Sequence, residues 1–266
     1  RTLVLADEDD VIGDIMQTNI ISVHTLDDKE TTALALSKYG FLALPVVDTE
    51  NRLVGIVTVD DAMDVLTEAA AEDLSIMAAV TPDEKPYFAA SAWEHARHRV
   101  VWLLILMLSA AITGSIITRY EDAISAVPLL VAFLPMLMDT GGNCGSQSAT
   151  LVIRGLALEE IRPRDALRVI RKELAVAAIV SAVLAAANGL RIYLQYHDSA
   201  IALVISLSLA ATVVLAKLVG CMLPIAAKQL HMDPAIMASP LITTIVDAGA
   251  VLIYFQAAAA LLRLPV

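Results

Sequence analysis

One apolar run with a single acid near its centre constrains this chain more than any other feature. The run extends from Leu241 to Leu262, and Asp247 is its only charged residue. It is long enough to cross a bilayer as a helix, which takes about 20 residues. A carboxylate near the middle of such a helix costs at least about 2.5–3.5 kcal/mol. Asp247 is therefore predicted to face a partner, a cavity or an ion rather than lipid.

Further polar side chains recur on the same face of this predicted helix. Ser239, Thr243 and Asp247 are spaced four residues apart, and Tyr254 continues the face two turns later. This spacing predicts a polar stripe that lines a path, in which Asp247 meets a cation. The alternative is an acid that is hydrogen-bonded to a neighbouring helix.

The composition divides the chain into an acidic N-terminal part and a membrane-embedded remainder. Hydrophobic residues make up 58% of the 266 residues, and the mean hydropathy is +0.72. The net charge of −11 argues against nucleic-acid binding. Cys144 and Cys221 lie in apolar segments and fit buried residues better than a disulfide or a zinc site. The sequence shows no nucleophile–base pair, P-loop or Cys/His metal spacing, so we do not expect an enzyme.

The first 95 residues have the pattern of a small α/β module. The order of elements is strand, helix, strand, strand, helix. The predicted elements are Ile20–Val23, Asp27–Tyr39, Ala43–Asp48, Leu53–Thr58 and a helix that begins at Asp60. Residues 1–10 are predicted to be the end of a preceding module.

An acidic helix is predicted to connect this module to the membrane part. Asp60, Asp64, Glu68 and Glu72 are each four residues apart and so share one face. Like charges at this spacing destabilise a helix by a few tenths of a kcal/mol per pair, roughly. A divalent cation shared with a facing acidic surface would relieve the repulsion, and a solvated acidic helix is the alternative. A break is predicted at Thr81–Pro86.

Five membrane segments are predicted after the break. They are approximately His98–Thr118, Ala123–Leu151, Leu174–Leu194, Ala200–Ala227 and Ala235–Leu262. Arginine and lysine are concentrated between the second and third segments and are sparse between the third and fourth. The positive-inside rule then places the N-terminal part in the cytoplasm and the C-terminus outside.

The second segment contains a glycine-rich polar motif. Gly141, Gly142 and Gly145 are costly in a membrane helix unless backbones approach closely or line a cavity. Four polar side chains recur at i, i+3, i+7 and i+10, which places them in one stripe. They are Thr140, Asn143, Gln147 and Thr150. Amide oxygens suit a hydrated hard cation, and close helix packing is the alternative.

Two stretches of the N-terminal part resemble a CBS domain. They are Leu44–Asp48 and Gly55–Asp61. The resemblance implies that Thr58 and Asp61 contact the phosphate and the ribose of a nucleotide such as ATP.

The Gly-Gly-Asn-x-Gly-x-Gln motif, the run around Asp247 and the CBS-like module together resemble the bacterial MgtE magnesium transporter family. The resemblance implies a homodimer with a pore on its two-fold axis, in which Asp247 of each subunit holds a hydrated Mg²⁺. It also implies Mg²⁺ sensing by acids that close the pore at high cytoplasmic Mg²⁺. Candidate pore residues are Asp247, Thr243, Asn143, Gln147 and Ser239, and candidate regulatory residues are Asp61, Asp64, Glu72, Asp73 and Glu30.

The expected fold is an all-α five-helix transmembrane domain preceded by a small α/β CBS module and a connector helix. The expected boundaries are 1–10 for the module remnant, 11–67 for the CBS domain, 68–97 for the connector and 98–266 for the pore domain. The expected function is Mg²⁺-gated uptake of Mg²⁺ across the inner membrane. An ion-coupled exporter and a membrane-anchored sensor are the alternatives, and the choice among Mg²⁺, Co²⁺, Mn²⁺ and Ni²⁺ stays open.

The sequence allows two positions for one basic side chain. Lys217 lies inside the fourth predicted segment. It either pairs with an acid such as Asp139 or extends its amino group to the cytoplasmic interface.

Overall fold

The computed structural model describes residues 5–7, 9–83, 85–237 and 239–264. The module remnant predicted at residues 1–10 therefore lies partly outside the described residues, and so does the side chain of Ser239. The chain divides into two compact units, Arg1–Ala71 and Glu72–Val266.

A three-stranded sheet forms among the described residues of the N-terminal unit. Its strands are β1 (Val23–His24), β2 (Ala43–Val47) and β3 (Leu53–Thr58), in the order β1-β2-β3. Strand β1 pairs in parallel with β2, and β2 pairs antiparallel with β3. The strand and helix order predicted from the sequence is present, although β1 is shorter than the predicted run.

Short helices complete this unit around a small apolar core. Helix α1 is Ile12–Ile15, and helix α2 is Lys29–Tyr39. The Asp28 side chain accepts a hydrogen bond from the Thr31 amide at 3.2 Å and caps the start of α2. Gly40 ends the helix at φ +64°, a left-handed conformation that favours glycine. The core residues are Val23, Ala33, Leu36, Leu44 and Ala62.

Helix α3 (Val59–Met77) continues from the N-terminal unit into the second unit without interruption. It carries the acids that were predicted to share a helix face. The helix ends before the predicted break, and a new helix begins at Ala92. There the Ser91 side chain and the Glu94 side chain each bond to the other residue's backbone amide and form a capping box.

The second unit is built from long helices. They are α4 (Ala92–Arg119), α5 (Glu121–Ala126), α6 (Leu134–Ala157), α7 (Ala166–Tyr196), α8 (Ser199–Gln229) and α9 (Ser239–Leu262). Short 3₁₀ turns occur at Pro128–Phe133, Pro163–Asp165 and Pro234–Met237. Helix α8 packs against α6, α7 and α9, while α4 contacts α9 and is otherwise largely exposed.

Four of the described helices are long and apolar enough to cross a bilayer. They are Ala92–Arg119, Pro163–Tyr196, Ser199–Gln229 and Pro234–Leu262. Helix α6 is not among them, because its row of polar side chains lowers its hydropathy. The predicted second segment is in fact three pieces, namely α5, the turn Pro128–Phe133 and α6. The helical membrane character is thus confirmed, and a count of five spans stays a prediction.

Tyr254 does not continue the polar stripe that the sequence predicted on α9. Its side chain is completely buried, and its hydroxyl donates a hydrogen bond to the Leu130 carbonyl at 3.0 Å. This bond joins α9 to the 3₁₀ turn before α6. The prediction was wrong because spacing along a helix does not show which neighbouring backbone group a tyrosine meets.

Substitution of Tyr254 by phenylalanine should destabilise the second unit. The ring would still fill its site, but the buried carbonyl of Leu130 would lose a donor, which costs about 1–3 kcal/mol. Tyr193→Phe is the matched control, because Tyr193 is 49% exposed on α7. Thermal unfolding in detergent should show a lower midpoint for the first variant only. Equal midpoints would show that the hydrogen bond contributes no stability.

Candidate functional site

One face of α6 carries polar side chains that the rest of the chain leaves exposed. Asp139, Asn143, Gln147 and Thr150 are exposed along this face. On the opposite face, Gly142, Gly145 and Ser148 are buried against other helices. Helix α6 therefore has an inner face that packs and an outer polar face that is open. We call the residues Asp139, Asn143, Gln147 and Thr150 the open polar face. Of the four positions in the predicted α6 stripe, the face holds Asn143, Gln147 and Thr150, and Thr140 is partly buried beside it.

Helix α9 brings two of the predicted residues against α6. A Cβ atom added at Gly142 would lie 2.9 Å from Cγ2 of Thr243, so the two helices meet closely at this point. The Thr243 hydroxyl donates to the Pro240 carbonyl at 2.9 Å and is therefore occupied within its own helix. Asp247 lies one turn later and is partly buried.

Two carboxylates lie near each other at this contact. Asp139 is within electrostatic range of Asp247. Asp139 was considered from the sequence only as a partner for Lys217, and no ion pair joins those two residues in the described part of the chain. A clue was present, because Asp139 precedes Asn143 by four residues and therefore shares its face. Two like charges beside amide groups form an acidic surface suited to a cation.

Lys217 takes neither of the positions considered from the sequence. Its side chain is only 4% exposed, so its amino group does not extend to an open interface. It lies inside the second unit with a buried acid, Glu173 on α7, which is 8% exposed. Glu173 directly precedes the third predicted segment and was not among the residues predicted from the sequence.

A second candidate site lies in the N-terminal unit. A cavity of about 270 Å³ is lined in part by His24, Lys29 and Asp61. The Thr58 hydroxyl donates a hydrogen bond to the Asp61 carboxylate at 2.6 Å. Of the two predicted nucleotide-contacting residues, Asp61 therefore lines the cavity, and Thr58 fixes its carboxylate.

The candidate regulatory acids are spread along exposed surfaces. Asp61, Asp64 and Glu72 are exposed on α3, and Asp73 is partly buried there. Glu30 is exposed on α2. Within the described residues, no three His, Cys, Asp or Glu side chains gather closely enough to hold a metal ion. The neighbouring Glu68 forms an ion pair with Lys29 at 3.5 Å.

Comparison with known families gives a direct result for both units. The family model MgtE, described as "Divalent cation transporter", matches residues 134–257, which extend from the start of α6 into α9. The CBS domain model matches residues 12–68. The chain therefore contains an MgtE family domain and a CBS domain. The resemblance noted from the sequence is thereby confirmed.

Relatives named "Magnesium transporter MgtE" align with nearly the whole chain. The protein of Thermus thermophilus is 40% identical over 263 residues, and that of Bacillus subtilis is 38% identical over 267 residues. The protein of Enterococcus faecalis is 34% identical over 263 residues. Each alignment covers 99% of this chain but only 57–58% of the relative. The chain thus spans a little over half the length of these relatives, which are named as transporters rather than enzymes.

Substitution of Gly142 by alanine should force α6 and α9 apart. The added methyl group would meet Cγ2 of Thr243 at 2.9 Å, and overpacking of this kind costs about 1–3 kcal/mol. Combining it with Thr243→Ser should restore stability, because serine keeps the hydroxyl and removes that methyl group. Thermal unfolding of the single and double variants provides the measurement. Failure of the serine to raise the midpoint would contradict the proposed contact.

Proposed function

We propose that this chain forms the ion pathway of a Mg²⁺ transporter, with the open polar face of α6 and the Asp247 region of α9 lining the pathway. The observation that carries the proposal is the exposure of Asp139, Asn143 and Gln147 on a helix bundle that is otherwise apolar. Polar groups in a membrane helix are costly against lipid and mark ion pathways when they face a water-filled cavity. The names of the MgtE relatives support Mg²⁺ as the transported ion.

The pathway is proposed to lie on the two-fold axis of a homodimer. Within the described residues of a single chain, the side chains of the polar face of α6 remain exposed. A second copy would bring an equivalent face opposite them. Each subunit then supplies Asp247, so that two carboxylates balance one divalent charge. We propose Asp247, Thr243, Asn143, Gln147 and Ser239 as the residues that line the pathway.

Recognition of the hydrated ion follows from the ligand chemistry. Mg²⁺ prefers octahedral oxygen ligands at about 2.0–2.1 Å and loses water reluctantly. One acid and a few amides per subunit cannot replace the full hydration shell. Asp247 and the amide oxygen of Asn143 are therefore proposed to accept hydrogen bonds from waters of the hydrated ion. The charge of Asp247 favours a divalent over a monovalent cation.

Uptake needs no coupled ion in this proposal. Moving two charges into an inside-negative cell releases about 4.6 kcal/mol per 100 mV. We propose that the chain is a multi-pass protein of the inner membrane with five spans, and that α6 is one of these spans. The concentration of arginine before and within the start of α7 places that end of the helix in the cytoplasm. The N-terminal unit is then cytoplasmic, and the C-terminus is outside.

The transport experiment compares Asp247→Asn with the wild type. Asparagine keeps the size of the side chain and removes its charge. With Mg²⁺ entering liposomes under an inside-negative potential and no opposing ion gradient, flux should fall by at least about tenfold, which corresponds to about 1.4 kcal/mol. Asp122→Asn is the control, since Asp122 is exposed in α5 outside the candidate pathway.

The possible outcomes separate the alternative functions. Flux in the wild type and the Asp122 variant but not in the Asp247 variant supports the pathway. If wild-type flux requires an opposing gradient of another ion, the function is that of an ion-coupled exporter rather than a channel. A folded dimer that binds Mg²⁺ but shows no flux under either condition would favour a sensor without transport.

Closure of the pathway is proposed to depend on acids outside the membrane. Asp61, Asp64, Glu72 and Asp73 lie on α3, and Glu30 lies on α2. Without Mg²⁺ these acids repel a facing acidic surface, and with Mg²⁺ bound the two surfaces approach and favour the closed state. The CBS cavity is proposed to bind the ribose of ATP through Asp61, with Lys29 near the phosphates.

Removal of two sensing acids should leave the pathway open at high Mg²⁺. The double variant Asp64→Ala, Glu72→Ala loses two negative charges on α3. Binding of Mg²⁺ therefore stabilises the closed state less than in the wild type. Liposome flux should then persist at millimolar internal Mg²⁺, where the wild type closes. Glu50→Ala is the control, because Glu50 pairs with Arg52 in the turn between β2 and β3. If the double variant closes at the same Mg²⁺ concentration as the wild type, these acids are not the sensors.

A further inference from the structure

Two buried charges lie on the side of α6 that is turned away from the open polar face. Glu173 on α7 is 8% exposed, and Lys217 on α8 is 4% exposed. Neither contributes to the open polar face or to the N-terminal unit. An unpaired charge inside a membrane bundle is strongly unfavourable, so buried ionisable residues usually pair with each other.

Ser148 connects Glu173 directly to α6. Its hydroxyl is completely buried and donates a hydrogen bond to Oε2 of Glu173 at 2.5 Å. This hydrogen bond ties the Glu173 carboxyl group on α7 directly to α6.

Lys217 supplies the nearby positive charge. Glu173 and Lys217 are both within electrostatic range of the Cys221 sulfur, and Lys217 is also within range of Cys144. These cysteines lie next to the closest contact between α6 and α8. The two ionisable side chains therefore lie in one buried region, and no ion pair joins them directly in the described part of the chain.

The contact between α6 and α8 is formed by two glycines. A Cβ atom added at Gly220 would collide with the Gly145 carbonyl oxygen, so the two backbones are in direct contact. Ser148 lies about one turn after Gly145, and Lys217 lies about one turn before Gly220. This contact fixes how closely the two backbones approach. The hydrogen bond from Ser148 provides a directional restraint.

The restraint lies on the face opposite the polar residues. Ser148 follows Asn143 by five residues, which places it about 140° around the helix. Fixing Ser148 against Glu173 therefore fixes the direction of Asn143 and Gln147. We propose that Glu173, balanced by Lys217, is a positioning residue that acts through Ser148 to hold the open polar face of α6 toward the ion pathway. This inference rests on the proposed function for the identity of the pathway.

Cysteine labelling measures the rotation of α6 without requiring transport. Cys144 is 6% exposed and Cys221 is completely buried, so both native thiols should be protected. A cysteine introduced by Gln147→Cys lies on the open polar face and should react quickly with a water-soluble methanethiosulfonate reagent. The experiment uses the full chain in lipid nanodiscs, with Gln147→Cys as the reference protein.

Ser148→Ala in the reference protein should increase labelling of Cys144 and decrease labelling of the introduced thiol, each by about tenfold or more. Glu173→Gln should do the same, because it leaves the charge of Lys217 without compensation. Adding Lys217→Met to Glu173→Gln should restore the reference pattern, since glutamine still accepts the hydrogen bond and no charge remains. Ser181→Ala is the matched control, because the Ser181 hydroxyl bonds only to the Ala178 carbonyl of its own helix.

The outcomes decide the proposal separately from transport. Reciprocal changes at Cys144 and position 147 in proteins that retain the reference melting temperature support it. Reference labelling in both Ser148→Ala and Glu173→Gln would overturn it, as would the same change in Ser181→Ala. If Glu173→Gln does not fold, Ser148→Ala still decides, because it keeps both charges. An absence of Mg²⁺ flux in the wild type would contradict the proposed function, while the labelling result would remain valid.

Discussion

The close approach of α6 to α8 and α9 is the contact on which the rest of the second unit depends. Gly145 meets the backbone of α8, and Gly142 meets Thr243 of α9. A side chain at either glycine would separate the helices. Because the small residues all lie on one side of α6, its larger polar residues are left on the other side. The same residues that permit tight packing therefore also determine which surface stays open.

Different interactions specify the folds of the two units. The N-terminal unit is small, and its core of a few aliphatic residues is supported by a sheet and by helix caps such as Asp28. The long helices of the second unit are mainly apolar, so burial of hydrocarbon alone does not specify how they face each other in lipid. Glycine contacts, the Tyr254 hydrogen bond and the Ser148–Glu173 hydrogen bond supply that specificity.

The sequence predicted the features that follow from periodicity. The strands of the N-terminal unit, the break after the acidic helix and the shared face of Asn143 and Gln147 all depend on local spacing, which a single sequence contains. Contacts between distant segments were not predictable in this way. The burial of Tyr254 against Leu130 and the bond between Ser148 and Glu173 join residues that are 124 and 25 positions apart. No local pattern indicates such partners.

The open polar face also has a consequence for how the protein is made. A newly inserted single chain would expose Asp139, Asn143 and Gln147 to hydrocarbon until another surface covers them. If the proposed homodimer forms, the single chain is the higher-energy species in the bilayer, and its population falls as the density of chains in the membrane rises. Expression level would then influence the quality of the assembled protein, because chains that have not paired remain exposed to membrane proteases for longer.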